Sequence, residues 1–127
     1  MINIKMIPHK EQRYPTCGDY WIEKNGDIQI RVSGMGNKYY EYLVASHELR
    51  ELILCIKRGI AFDKIDKFDT QYEKDRERGK YTLDQEPGND PDAPYKKEHQ
   101  YATAIEMIDA QMLDVDWAEY NNKVMSL

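Results

Sequence analysis

The residues of this chain best suited to chemistry are His47-Glu48-Leu49-Arg50-Glu51. On a helix that advances about 100° per residue, residues four apart stack on one side. His47 and Glu51 can therefore present an imidazole nitrogen and a carboxylate oxygen to one ion. With His47 set at zero, the deepest apolar stripe, Ala45, Leu49, Leu52, Ile53 and Ile56, centres about 190° away. His47 and Glu51 then fall between Leu43 and Leu54 on one side and Val44 and Cys55 on the other, and Glu48 points to the edge of the same face. An unpaired carboxylate costs several kcal/mol to bury, so Glu51 needs a cation, a hydrogen-bond donor or a metal there. A metal site needs a third protein ligand, and the chain has only three histidines, His9, His47 and His99. His99 shares a helical side with Thr103 and Glu106, opposite an apolar stripe of Tyr101, Ala104, Ile105, Ile108 and Met112.

The elements that must position these residues follow from turn and cap signals. In the region 1–37, Tyr20–Lys24 and Asp27–Val32 flank Asn25-Gly26, which reads as a β-hairpin closed by a type I′ turn. Asn37 is a candidate N-cap for a helix filling 38–59, with Lys57 and Arg58 in its last turn and Gly59 as its stop. The span 60–94 is polar, and Gly79, Pro87, Gly88, Asn89, Pro91 and Pro94 mark it as a long loop or cover, with a short helix around Phe62, Ile65 and Phe68. The region 95–127 is helical again, and Asp116 and Glu119 have capping-box spacing for a last helix ending near Met125. The expected fold is a single α+β domain: a small antiparallel sheet, supplied by the N-terminal hairpin, with two main helices packed on one face.

Here the chain resembles the zincin metallopeptidases, whose signature is His-Glu-x-x-His on a helix packed beside a small sheet. The resemblance implies that His47 is the first ligand of a zinc ion and that Glu48 is the general base that deprotonates a metal-bound water. The chain departs from the signature where Glu51 replaces the second histidine, although a carboxylate is also a competent zinc ligand. In zincins of the gluzincin kind a later helix supplies the third ligand. By resemblance that place falls to His99, with Glu106 as a supporting or alternate ligand and Tyr95 as a phenolic donor. The gluzincin Asn-Glu-x-x-x-Asp pattern is absent. Asp92-Ala93-Pro94-Tyr95 followed by Glu98-His99 also resembles small proteins of bacteria and their phages. What the resemblance implies is a zinc-dependent hydrolase acting on an amide or peptide bond. The competing expectation is a non-catalytic accessory module that uses its tyrosines to bind a host protein.

Composition narrows the remaining classes. The 127 residues carry 18 Lys and Arg against 23 Asp and Glu, a net charge of -5 that argues against nucleic-acid phosphates or anionic lipid as partners. The longest apolar run, Leu52–Ile56, falls far short of the roughly 18 residues of a membrane span, and the N-terminus has no signal-peptide pattern, so the expected location is cytoplasmic. Cys17 and Cys55 are too few for a disulfide framework, although Cys55, near Glu48 on the helical wheel, is a thiol to test against His47 as a nucleophile. Ten tyrosines against two phenylalanines supply broad, polar-tipped contact area.

Overall fold

A computed structural model describes all residues 1–127. Strand β1 (Ile2–Ile7) leads through a short 3-10 turn (His9–Glu11) to β2 (Gly18–Ile22) and β3 (Ile28–Ser33). Four helices follow: α1 (Lys38–Lys57), α2 (Phe62–Glu77), α3 (Lys96–Met112) and α4 (Trp117–Met125), with a 3-10 turn at Pro87–Asn89 before α3. The class is α+β, as expected. The sheet, however, is mixed rather than antiparallel: the strand order is β1-β3-β2, β2 pairs antiparallel with β3, and β1 pairs parallel with it.

The hairpin turn also differs from the sequence reading. Gly26 N donates to Glu23 O, and Gly26 alone of the turn residues has positive φ, at 89°. Lys24 and Asn25 therefore form an ordinary turn and Gly26 takes the left-handed position after it, the three-residue alternative to a type I′ turn. The caps at Asn37, Gly59 and Asp116 behave as their sequences predict, whereas α2 and α3 begin without a side-chain cap, at Ala61 and Tyr95. The Asn37 side chain accepts from the amides of Tyr39 and Tyr40, Gly59 sits at φ 69° past the end of α1, and the Asp116 side chain accepts from Glu119 N.

Two larger corrections concern the helices. First, the region expected as a long loop contains all of α2, whose Ile65 and Tyr72 are buried, so its long irregular stretch is confined to 78–94, interrupted by the Pro87–Asn89 turn. Second, the apolar stripe of α3 does not mark the core, and that of α1 does so only in part: Ala45 and Leu52 are buried and Leu49 packs against the core. Ile53 and Ile56 on α1, and Tyr101, Ile108 and Met112 on α3, are exposed. The buried face of α1 carries Leu43, Val44, Ala45, His47, Glu51, Leu52 and Cys55, and that of α3 carries His99, Ala102, Glu106 and Ala110. The reason is packing geometry. The two helices meet through ionisable side chains, and the small Ala102 and Ala110 let them approach, while the main core of Ile30, Val32, Leu43 and Leu52 fills the space between α1 and the sheet.

Candidate metal centre

Helix α1 carries His47 and Glu51 one turn apart, and α3 runs alongside it bearing His99 and Glu106. Salt bridges fix the alignment: Arg50 meets Asp109 at 4.0 Å and Arg58 meets Glu98 at 3.3 Å, so the helices are antiparallel. In the same helix pair His47 Nε2 lies 3.1 Å from Glu51 Oε2 and 3.2 Å from His99 Nδ1, and His99 Nδ1 lies 2.8 Å from Glu51 Oε2. Bonds of about 2.0–2.1 Å in a tetrahedral zinc site place neighbouring ligand atoms roughly 3.3 Å apart. The three side chains are 6%, 4% and 8% exposed, and they form the one group in the molecule with ligand atoms close enough to hold an ion.

The neighbours of the triad decide what those atoms offer. His47 Nδ1 is 2.7 Å from Glu106 Oε1, and the other oxygen of Glu106 accepts from Tyr120 OH at 2.5 Å. His99 Nε2 is 2.9 Å from Glu86 Oε2. Glu51 Oε1 accepts from Tyr20 OH at 2.6 Å. A carboxylate can only accept, so it fixes the hydrogen of each neutral imidazole on the ring nitrogen facing away from the centre. The inner nitrogens of His47 and His99 are then lone pairs, and with Glu51 Oε2 three acceptors face one point. Buried acceptors do not remain so without a positive partner. Without an ion, that partner is a proton. Burial opposes charging of both histidines, yet the carboxylates prevail, Glu106 and Glu51 holding His47 well above its usual value and Glu51 and Glu86 lifting His99 to about 9. Burial would raise Glu51 as well, but hydrogen bonds from the two histidines bring it down to about 2.

Glu48 stands beside this group and differs from it. It is half-buried, has no hydrogen-bond partner, and lines the same cavity of about 290 Å³ as His47, Glu51 and His99. Burial first, and then the Glu51 charge, push its pKa well above the usual carboxylate range. It has this position because β2 passes against it at Gly18, where a Cβ would fall 2.6 Å from Glu48 Oε1.

The remaining cavity wall comes from α2 and from the segment that follows it. Arg76 gathers the carbonyls of Thr82, Leu83 and Gln85 at 2.9, 3.1 and 2.7 Å, which folds this segment back and delivers Glu86 to His99. At Gly88 the backbone lies so close to the His99 ring that any Cβ would collide with it. Tyr95 is turned toward α2 rather than toward the three-ligand centre: its hydroxyl donates to Asp69 Oδ1 at 2.5 Å. Tyr14 OH donates to the other Asp69 oxygen at 3.3 Å. Burial raises Asp69 to about 7, although the Tyr95 hydrogen bond works against it. Cys55 is fully buried, and burial lifts its thiol to about 12, which leaves no thiolate for nucleophilic attack.

The structure brings His47, Glu51 and His99, the three candidate ligands named from the sequence, within 3.2 Å of one another, and Glu106 contacts His47 rather than His99. Sequence reasoning missed Glu86, Gly88, Tyr20, Tyr120 and Asp69. The one available signal was the excess of tyrosine, since four of its members donate to buried carboxylates here.

The fold and site together define a small α+β domain with a two-histidine, one-carboxylate centre buried between antiparallel helices. No protein-family model, curated protein or solved structure matches the chain. No helix is long and apolar enough to cross a membrane.

Proposed function

We propose that this chain is a metal-dependent hydrolase of amide or peptide bonds, in which His47 Nε2, Glu51 Oε2 and His99 Nδ1 hold one divalent ion, zinc by the borderline character of an imidazole and carboxylate set. The observation that carries the reading is the convergence of three buried acceptor atoms: Glu106 and Glu86 fix the inner nitrogens of His47 and His99 as acceptors, and Tyr20 holds the far oxygen of Glu51. Bound there, such an ion supplies Lewis acidity toward a carbonyl oxygen and lowers the pKa of a water. Glu48 receives the proton of the attacking water and passes it to the leaving nitrogen. A carboxyl raised toward neutrality by burial suits both halves of that transfer. Glu106 and Tyr120 hold the His47 ring in one orientation, and Glu86 does the same for His99. The cavity beside Glu48 admits the substrate.

The test begins with protein purified without chelator. Its metal content is measured, and a panel of fluorogenic peptides is assayed with wild type, His47→Ala, His99→Ala and Glu48→Gln. The hydrolase reading expects close to one zinc per chain, lost in both alanine variants. It expects Glu48→Gln to keep the metal and lose at least a hundredfold in rate. Stoichiometric metal with no Glu48-dependent cleavage defeats the catalytic part and leaves a structural ion. No metal in wild type defeats the whole reading and favours the tyrosine-rich accessory module, for which the exposed Tyr39, Tyr42 and Tyr101 offer contact area.

A further inference from the structure

The uncovered side of the sheet bears on assembly, independently of the metal centre. Strand β1 is an edge: it pairs with β3 on one side only. Ile28 N donates to Met1 O and Gly34 N donates to Ile7 O, at the two ends of the ladder. Backbone groups of a parallel pair reach the neighbour at every second residue, so Met1, Asn3, Lys5 and Ile7 face β3, while Ile2, Ile4 and Met6 direct their N–H and C=O groups outward. The same three residues pair in register with Ile28, Ile30 and Val32, whose side chains belong to the core or pack against it. Yet Ile2, Ile4 and Met6 are 49%, 41% and 44% exposed. Helix α1 packs over β2 and β3 and leaves this row open.

The open row continues onto α1. Tyr20 and Gly18 of β2 meet Glu51 and Glu48, on the α3 side of the helix, so β1, at the opposite edge of the sheet, lies beneath the other flank. That flank carries Ile53 and Ile56, both exposed. A row of unpaired backbone groups beside apolar side chains is a template for another strand, and Lys5 is the one charged residue in β1.

We propose that two copies of this chain pair through β1, antiparallel about a twofold axis at Ile4, to form one continuous six-stranded sheet. The strand is self-complementary in that register. Ile4 meets Ile4, Ile2 meets Met6, and all these residues have outward-facing backbone groups, as hydrogen-bonded antiparallel pairs require. Lys5 faces Asn3 of the second copy rather than another lysine, so no like charges are opposed across the axis. The Ile53 and Ile56 flanks of the two α1 helices come to lie on the same face of the joined sheet. A twofold contact of one patch with itself is also the commonest closed form of association.

Light scattering on a sizing column, paired with amide exchange, tests this. Wild type is expected to be a dimer in which the amides of Ile2, Ile4 and Met6 exchange slowly, with protection lost on dilution to monomer. Ile4→Lys, at an exposed position, is expected to be monomeric with an unchanged circular dichroism spectrum. Tyr101→Lys, on the outer face of α3, is expected to remain dimeric. A monomeric wild type, fast exchange of those three amides in a dimer, a dimer that survives Ile4→Lys, or one that Tyr101→Lys abolishes would each overturn the proposal.

Discussion

At the scale of single residues, the cluster is a set of inward acceptors held from outside, the two imidazoles by carboxylates and Glu51 by the Tyr20 hydroxyl, and its weak points are these outer members. Glu106 touches no ligand atom facing the ion position; it grips the far nitrogen of His47. Glu106→Gln keeps the shape but gives His47 Nδ1 a neutral partner that can present its amide instead of an oxygen, so zinc affinity should fall ten- to hundredfold with the fold intact. A competition titration against a chromophoric chelator reads this, and an unchanged affinity would show that the Glu106 contact is incidental. Asp69 makes a prediction of a different kind. Its carboxyl sits at about 7 in the folded chain against an ordinary value of 3.8, chiefly because it is buried. The folded state thus keeps a proton that the unfolded chain releases. The contribution to stability is complete below about pH 4 and is lost as pH rises to about 7. Asp69→Asn should remove that slope and gain about 4 kcal/mol over wild type at pH 8 relative to pH 4, in urea melts of metal-free protein. Parallel pH profiles for the two proteins would refute it. Of these residues, His47, Glu51 and His99 were legible because imidazole is scarce in the chain and its helical spacing is fixed. Asp69 and Glu86 were not, since nothing local separates them from the other acidic residues of 60–94.

Among the elements, α1 was readable to within a residue because its stops are chemical: an asparagine that caps and a glycine that can turn left-handed. Helix α2 was underestimated because its face is mostly charged, and its buried positions, Ile65, Asp69 and Tyr72, include a carboxylate that hydropathy counts as solvent-facing. Ile53 and Ile56 of the α1 stripe and most of the α3 stripe misled for the converse reason. Apolar spacing reports which face avoids water, and the partner that covers it need not lie in the same chain. The irregular segment after α2 is the element whose role no pattern announced, and Gly88 tests that role. Gly88→Ala must displace either the Pro87–Asn89 turn or the His99 ring, so it should cost about 1–3 kcal/mol and weaken zinc binding at least tenfold. Gly79→Ala is the control: its φ is 84° and a Cβ there meets open space, so strain alone should cost about 1 kcal/mol while zinc affinity stays the same. Equal effects of the two substitutions on zinc binding would mean that the segment does not clamp His99.

For the molecule as a whole, the His47, Glu51 and His99 cluster is where separate parts of the chain meet. Tyr20 reaches it from the sheet, His47 and Glu51 from α1, Glu86 from the segment after α2, His99 from α3, and Tyr120 from α4 through Glu106. The sequence cannot announce this meeting, because His47 and His99 are 52 residues apart and their approach depends on how α1 and α3 align. The alignment in turn rests on ion pairs and small residues rather than on a continuous apolar seam, so the metal-free protein must hold several ionisable groups in a water-poor space with protons as the only counter-charge. Replacing those protons by a divalent ion satisfies the three inward acceptors at once, and a ligand that binds only the folded chain stabilises it by mass action. With free zinc at a thousandfold over its dissociation constant, the gain is about 4 kcal/mol, which for a domain of this size corresponds to a rise in Tm on the order of 10–15 °C over protein held in chelator. Differential scanning calorimetry across a zinc series should show Tm climbing with the logarithm of concentration, and His99→Ala should flatten the curve. A Tm insensitive to zinc in wild type would mean that the histidines and Glu51 are a closed hydrogen-bonded cluster satisfied by protons, and that the convergence of five elements on it serves the fold alone.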